Sequence, residues 1–276
     1  MTYVSLLVPV EADPAADSRL ALAVSLANRF QARLIGVGAE MWRTPILAAP
    51  FDGGYGVGEL IAAGEAQAEA DLNAAERRFK AAAGAVAAGS AWLEAVRWPL
   101  NEVAAEACAA DLIVTSRGSH AAEAGIVLAG LVLEAGRPVL IAPRHKHELK
   151  LQTVLVAWKD AREARRAVMD AVPLLKRADR VIVAGICPHE AETATAARLE
   201  QVSDYLQRHG VRASTKVSLE VKGVGPADQL LELADEVRPD LIVAGAYGHT
   251  RLQEWVFGGF TKALLAQEDR AVLLSH

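Results

Sequence analysis

Three short apolar runs occur twice in this chain, in the same order. SLLVPVE (residues 5–11) resembles TVLVAWK (153–159), ADLIVTS (110–116) resembles PDLIVAG (239–245), and RPVLIAP (137–143) resembles RAVLLSH (270–276). A chain that repeats its plan is built from two copies of one unit, which rules out most single-layer folds at once. Each run is rich in Val, Ile and Leu without polar alternation. That pattern belongs to strands buried on both faces, the habit of parallel sheets.

Helical patterns separate the runs. In the second half, residues 162–178 carry apolar positions at helical spacing. Residues 192–210 form a polar-faced helix with a glycine stop, and residues 225–240 place one proline near a helix start and another past its end. Residues 211–221 alternate as an edge strand does. The order predicts two tandem, doubly wound, parallel five-stranded sheets with right-handed crossovers, over residues 1–145 and 151–276. The last strands, 138–142 and 271–275, are apolar throughout but for their ends. The first half carries an insertion, residues 41–58, with Pro, Gly and aromatic residues and no periodicity; it reads as a long loop.

Composition narrows the function classes. The chain is 52% hydrophobic and 23% charged, an ordinary balance for a soluble globular protein. Its net charge of −5 gives no basic footprint for nucleic acid. No apolar run is long enough for a membrane span. The two cysteines, Cys108 and Cys187, make neither a disulfide framework nor a zinc pattern, so a reducing cytoplasm is expected. Cys108 reads as buried on a helix and Cys187 as buried at a strand end. His145 and His147 are too few for a metal centre. Ser116, His120 and Glu123 invite a triad reading, but no G-x-S-x-G elbow supports it.

The richest stretch is VAGAYGHTRLQEWVFGGFTKALL, residues 243–265. Gly245, Gly248, Gly258 and Gly259 stand where a buried strand turns into a helix. In doubly wound folds ligands bind at the carboxyl ends of strands, and free amides at a following helix start hold anions. Glycines there let the backbone approach a ligand; close helix packing accounts for one or two of them. Trp255 and Phe257 read as packing anchors.

The spacing Gly245-x2-Gly248-x9-Gly258, with the opening VLVAWKDAREARRAV (residues 154–168), resembles the universal stress protein family, and both halves share the likeness. The resemblance implies a tandem member with the Rossmann-like, adenine nucleotide alpha hydrolase-like fold. It implies binding of ATP or another adenine nucleotide, with Mg²⁺ as a possible companion, and a regulatory role rather than catalysis, at most a slow ATPase. Base and ribose would lie by Ala157, Trp158, Lys159 and Asp160. Phosphates would lie by Ala244, Gly245, Gly248, His249, Gly258, Gly259 and Phe260, with Thr261 substituting for the hydroxyl that the family places after its last glycine. Lys159 stands where the family has an acidic residue. The family also pairs the last strands of two domains across a pseudo-two-fold axis, which the apolar runs 138–142 and 271–275 allow, and homodimers are a further family habit.

The first half departs further. Asp111 to Pro138 spans four residues fewer than Asp240 to Ala271, so Gly125 aligns with Gly258, Ile126 with Gly259 and Leu128 with Thr261. Hydrocarbon replaces amides and hydroxyls, and no nucleotide is expected there. Glu11, at the family's acidic position, reads as a solvated loop residue. A rival reading makes the chain an interaction scaffold or chaperone-like protein with a decayed nucleotide site, taking an apolar ligand or partner at residues 41–58.

Overall fold

The structure is a computed structural model that describes residues 2–12, 16–40, 57–96, 99–117, 121–143, 147–248 and 259–276. The first half runs β1 (Ser5–Pro9), α1 (Ala16–Phe30), β2 (Arg33–Glu40), α2 (Val57–Ala83), β3 (Ser90–Val96), α3 (Pro99–Glu106), β4 (Leu112–Ser116), α4 (Ala121–Glu134) and β5 (Val139–Ala142). The second runs β6 (Thr153–Ala157), α5 (Arg162–Leu175), β7 (Arg180–Cys187), α6 (Glu192–Arg208), β8 (Ala213–Leu219), α7 (Pro226–Val237), β9 (Leu241–Gly245), α8 (Gly259–Leu265) and β10 (Ala271–Ser275).

The two five-stranded units join edge to edge into one ten-stranded sheet, ordered β3-β2-β1-β4-β5-β10-β9-β6-β7-β8. Neighbours are parallel except at the centre, where β10 runs antiparallel to β5 with Val272, Leu273 and Leu274 opposite Ile141, Leu140 and Val139. The last strands pair as the family resemblance implies, and each covers an edge the other would leave exposed. Alternate residues of the inner strands point to opposite faces. Leu6, Leu112, Val154, Leu241 and Leu273 enter one core layer with α1, α2, α5 and α6. Leu7, Ile113, Leu155, Ile242 and Leu274 enter the other with α3, α4, α7 and α8. Both layers run through both halves, so the hydrophobic effect holds the halves together as well as each one alone.

The duplication persists at the level of single hydrogen bonds. Asp111 Oδ2 accepts from the backbone N–H of Val4 at 2.7 Å and of Ser5 at 3.1 Å. Asp240 Oδ2 accepts from Gln152 and Thr153 at the same distances. Each aspartate precedes the fourth strand of its half and satisfies the otherwise open start of the first.

Two expectations are corrected. Cys108 is exposed: α3 ends at Glu106, and the tight turn of residues 107–109 buries Ala107 instead. Val57 and Gly58 belong to α2 rather than to a loop, while residues 41–56 lie outside the described residues.

A titratable contact crosses between the halves. The Tyr3 hydroxyl donates to the backbone carbonyl of Asp170 at 2.6 Å. Burial pushes the Asp170 carboxyl above its ordinary 3.8, opposed by the Ser275 hydroxyl and the Arg166 and Arg137 guanidiniums. A carboxyl raised on folding binds its proton more tightly in the folded chain. Stability therefore falls as pH rises from 3.8 through the folded value. Urea unfolding across that window should show Asp170→Asn gaining on the parent chain as pH rises; a difference constant with pH would contradict the assignment.

Candidate functional site at the strand-order reversal

In the second half the chain leaves β6 for β7 on one side and returns through β9 on the other. The strand order therefore reverses between β6 and β9, which pair with Ala157 opposite Ala244. Helix α5 packs over one face of the sheet and α8 over the other, the arrangement in which doubly wound folds bind ligands beyond the strands' carboxyl ends. Of the residues expected here, Ala157 pairs with Ala244 across β6 and β9, Trp158, Lys159 and Asp160 follow the end of β6, and Gly245 ends β9, three residues before Gly248. Gly259 opens α8 and is exposed, and a side chain there would touch nothing within 4 Å. His249 and Gly258 lie outside the described residues, as do Trp255 and Phe257.

The glycines divide by role. A Cβ on Gly245 would stand 2.5 Å from the backbone nitrogen of Ala164 and 2.5 Å from the carbonyl carbon of Glu163. Close packing of β9 against the first turn of α5 accounts for this glycine. Beyond it the chain is pinned: Ala246 donates to the Ser275 carbonyl at 2.9 Å, and His276 Nδ1 lies 3.1 Å from the Ala246 carbonyl. Tyr247 then takes a left-handed φ of 54°, uncommon for a bulky residue and a strain typical of ligand-binding turns. Thr261 is only 5% exposed, in the place where Leu128 is a core residue of the first half.

The mouth is cationic. Lys159 is exposed. Asp160 is held by Arg165 at 2.5 Å and by Arg198 at 3.6 Å. The N-cap of helix α5 is Ala161, whose side chain caps nothing. Glu163, in the first turn, is 2% exposed; its Oε1 accepts from Arg162 Nε at 3.2 Å, and its Oε2 is buried without a partner. The indole Nε1 of Trp158 is likewise buried and unpaired. Among the described residues no cluster of His, Cys, Asp and Glu could hold a metal ion. No helix among them is long and apolar enough to cross a membrane.

The matching place in the first half is filled by protein. Arg19, 3% exposed, donates from Nη1 to Ser116 Oγ at 2.8 Å and from Nη2 to Glu11 Oε2. Glu11 is thus the partner of a buried guanidinium rather than a free loop carboxylate. Arg117 turns toward the second half and donates to the carbonyls of Leu264, at 3.0 Å, and Leu265. Of the Ser116, His120 and Glu123 set, His120 and the side chain of Glu123 lie outside the described residues.

Arg19, Arg117 and Glu163 were missed by sequence reasoning. One signal was legible. Glu163 sits four residues before Ala167 and Arg19 four before Ala23, each on the apolar stripe of its helix. A further cavity of 460 Å³, also missed, lies farther out along the same sheet end, lined by Pro188, Val221, Lys222, Val224, Pro226 and Gln229. The Gln229 amide is satisfied there, donating to Ser218 Oγ at 2.8 Å and the Leu219 carbonyl at 2.5 Å and accepting from Val221 N–H at 3.3 Å.

Residues 150–276 match the model of the universal stress protein family. No curated protein matches the sequence. Among solved structures, a universal stress protein from Archaeoglobus fulgidus superposes with a TM-score of 0.72 at 16% identity, covering 98% of this chain and 95% of its own. A protein from Pseudomonas aeruginosa described as a putative universal stress protein gives 0.56 at 16% identity, covering 99% and 93%. These identities establish a shared fold over the whole chain. A universal stress protein in complex with cAMP gives 0.40 at 25% identity, covering 46% of this chain and 98% of its own.

Proposed function

Because residues 150–276 match the model of the universal stress protein family, we propose that this half belongs to that family and binds an adenine nucleotide, ATP or a relative, where the strand order reverses between β6 and β9. Residues 1–145 form a companion domain without a nucleotide, and occupancy of the second domain tunes what the whole chain contacts. Binding rather than turnover is the role, because phosphoryl transfer needs a metal carboxylate and a positioned nucleophile. The setting is the cytoplasm, in keeping with two free cysteines.

The observation that carries this reading is the contrast between two equivalent crevices. One is closed by the Arg19–Ser116 and Arg19–Glu11 bonds; the other is walled by an uncapped helix start, a glycine turn and a cationic mouth. With Thr261 buried, the phosphates fall to backbone amides of the turn and to Lys159. Calorimetry with ATP tests it: the parent chain should bind, and Gly248→Val, which places branched carbon against the phosphates, should weaken binding by about tenfold or more. Equal affinity in the two proteins would overturn this placement.

A further inference from the structure

The buried guanidinium of Arg117 joins the two halves at one particular place. It follows the end of β4 and donates to the carbonyls of Leu264, at 3.0 Å, and Leu265, the last residues of α8. Helix α8 has seven residues, so its opening residue, Gly259, lies only about 10 Å away. The two ends are held unequally. Leu264 is 1% exposed and Leu265 8%, whereas Gly259 is exposed and has no atom within 4 Å of a Cβ built on it. A shift at the open end is passed along so short a helix rather than absorbed, because close-packed interiors transmit strain.

Arg117 is itself tied to the mouth of the first half. Its neighbour Ser116 ends β4 and accepts through Oγ from Arg19 Nη1 at 2.8 Å, and Arg19 Nη2 donates to Glu11 Oε2. Arg19 is buried, while half of the Glu11 side chain meets solvent. A series of directed polar bonds, with one peptide link in it, therefore runs from α8 to a surface carboxylate of the other half. Two other routes leave α8 for that half. Its packing against α4 is apolar and has no preferred direction. The route through β10 meets a strand with no freedom, bonded to β9 on one side and β5 on the other and fully buried from Ala271 to Leu274.

We infer that Arg117 is a relay: occupancy at the carboxyl end of β9 sets the position of α8, α8 tightens on Arg117, and Ser116 and Arg19 carry the change to Glu11 at the surface of the first half. The relay rests on the nucleotide reading and gives the companion domain a task, which is to display the state of the other half on a surface that takes no nucleotide. Linkage makes it reciprocal, so releasing Arg117 must weaken the ligand.

Hydrogen exchange of the full chain with and without ATP, in the parent, Arg117→Met and Ser116→Ala, tests the relay, once urea unfolding has shown which variants are folded. In the parent, ATP should slow exchange about fivefold or more in peptides covering α8, and also in those covering residues 112–117 and 16–20. Arg117→Met should confine the slowing to the second half and bind ATP about fivefold or more weakly than the parent. Ser116→Ala, the milder change, should keep the slowing at residues 112–117 and lose it at 16–20; it decides the test if Arg117→Met does not fold. Slowing that stays within the second half of the parent, or that still reaches residues 16–20 in either variant, would overturn the relay and leave nucleotide binding standing. No binding of ATP to the parent chain would sink both.

Discussion

Gly245→Ala should destabilise the chain by about 2–3 kcal/mol, and Gly245→Val by more, through overpacking of a close-packed contact. The added carbon would meet backbone rather than a movable side chain: the Ala164 nitrogen and the Glu163 carbonyl carbon, each at 2.5 Å. Relief requires shifting the first turn of α5, which would drag Glu163 out of its buried place. Gly259→Ala is the control. It opens α8 with no neighbour within 4 Å, and alanine is the better helix former, so it should be neutral or stabilising by up to about 1 kcal/mol. Urea unfolding of both variants checks the pair. Equal effects would mean that the two glycines do not divide into a packing residue and an open one.

Arg117→Met should cost about 2–3 kcal/mol, because it leaves the buried Leu265 carbonyl without its side-chain donor and the Leu264 carbonyl with only the Gln267 N–H. The guanidinium reaches from the end of β4 in one half to Leu264 and Leu265 in the other, and a cation at a helix carboxyl end also complements its dipole. Arg117→Lys should recover little, since an ammonium cannot present two donors in one fork. Being buried, the contact should be insensitive to salt. An Arg117→Met midpoint equal to the parent's would show that the bond is not what fixes α8 against the first half.

The framework was readable because β-strands buried on both faces leave unbroken runs of Val, Ile and Leu, and those runs recur in order. Ala157 through Asp160 were placed beside Gly245 by the family resemblance, and the pairing of β6 with β9 sets Ala157 opposite Ala244. What escaped were polar residues whose burial depends on partners far away in the chain. Arg19 needs Ser116, and Arg117 needs Leu264 and Leu265; no local pattern announces either bond. Cys108 was misread because α3 ends at Glu106 and the tight turn after it buries Ala107 in place of the cysteine. Gly245 was readable as necessary but not as to why: ligand approach and helix packing demand the same missing Cβ, and only the position of α5 selects packing.

The central claim is that the second crevice takes a nucleotide and the first does not. Photolabelling with 8-azido-ATP, with native mass spectrometry to count occupancy and peptide mapping to place the label, tests it most directly. The account predicts one nucleotide per chain, with the label confined to peptides around residues 157–163 and 244–261. Two nucleotides per chain, or label on peptides carrying Glu11, Arg19 or Ser116, would contradict it.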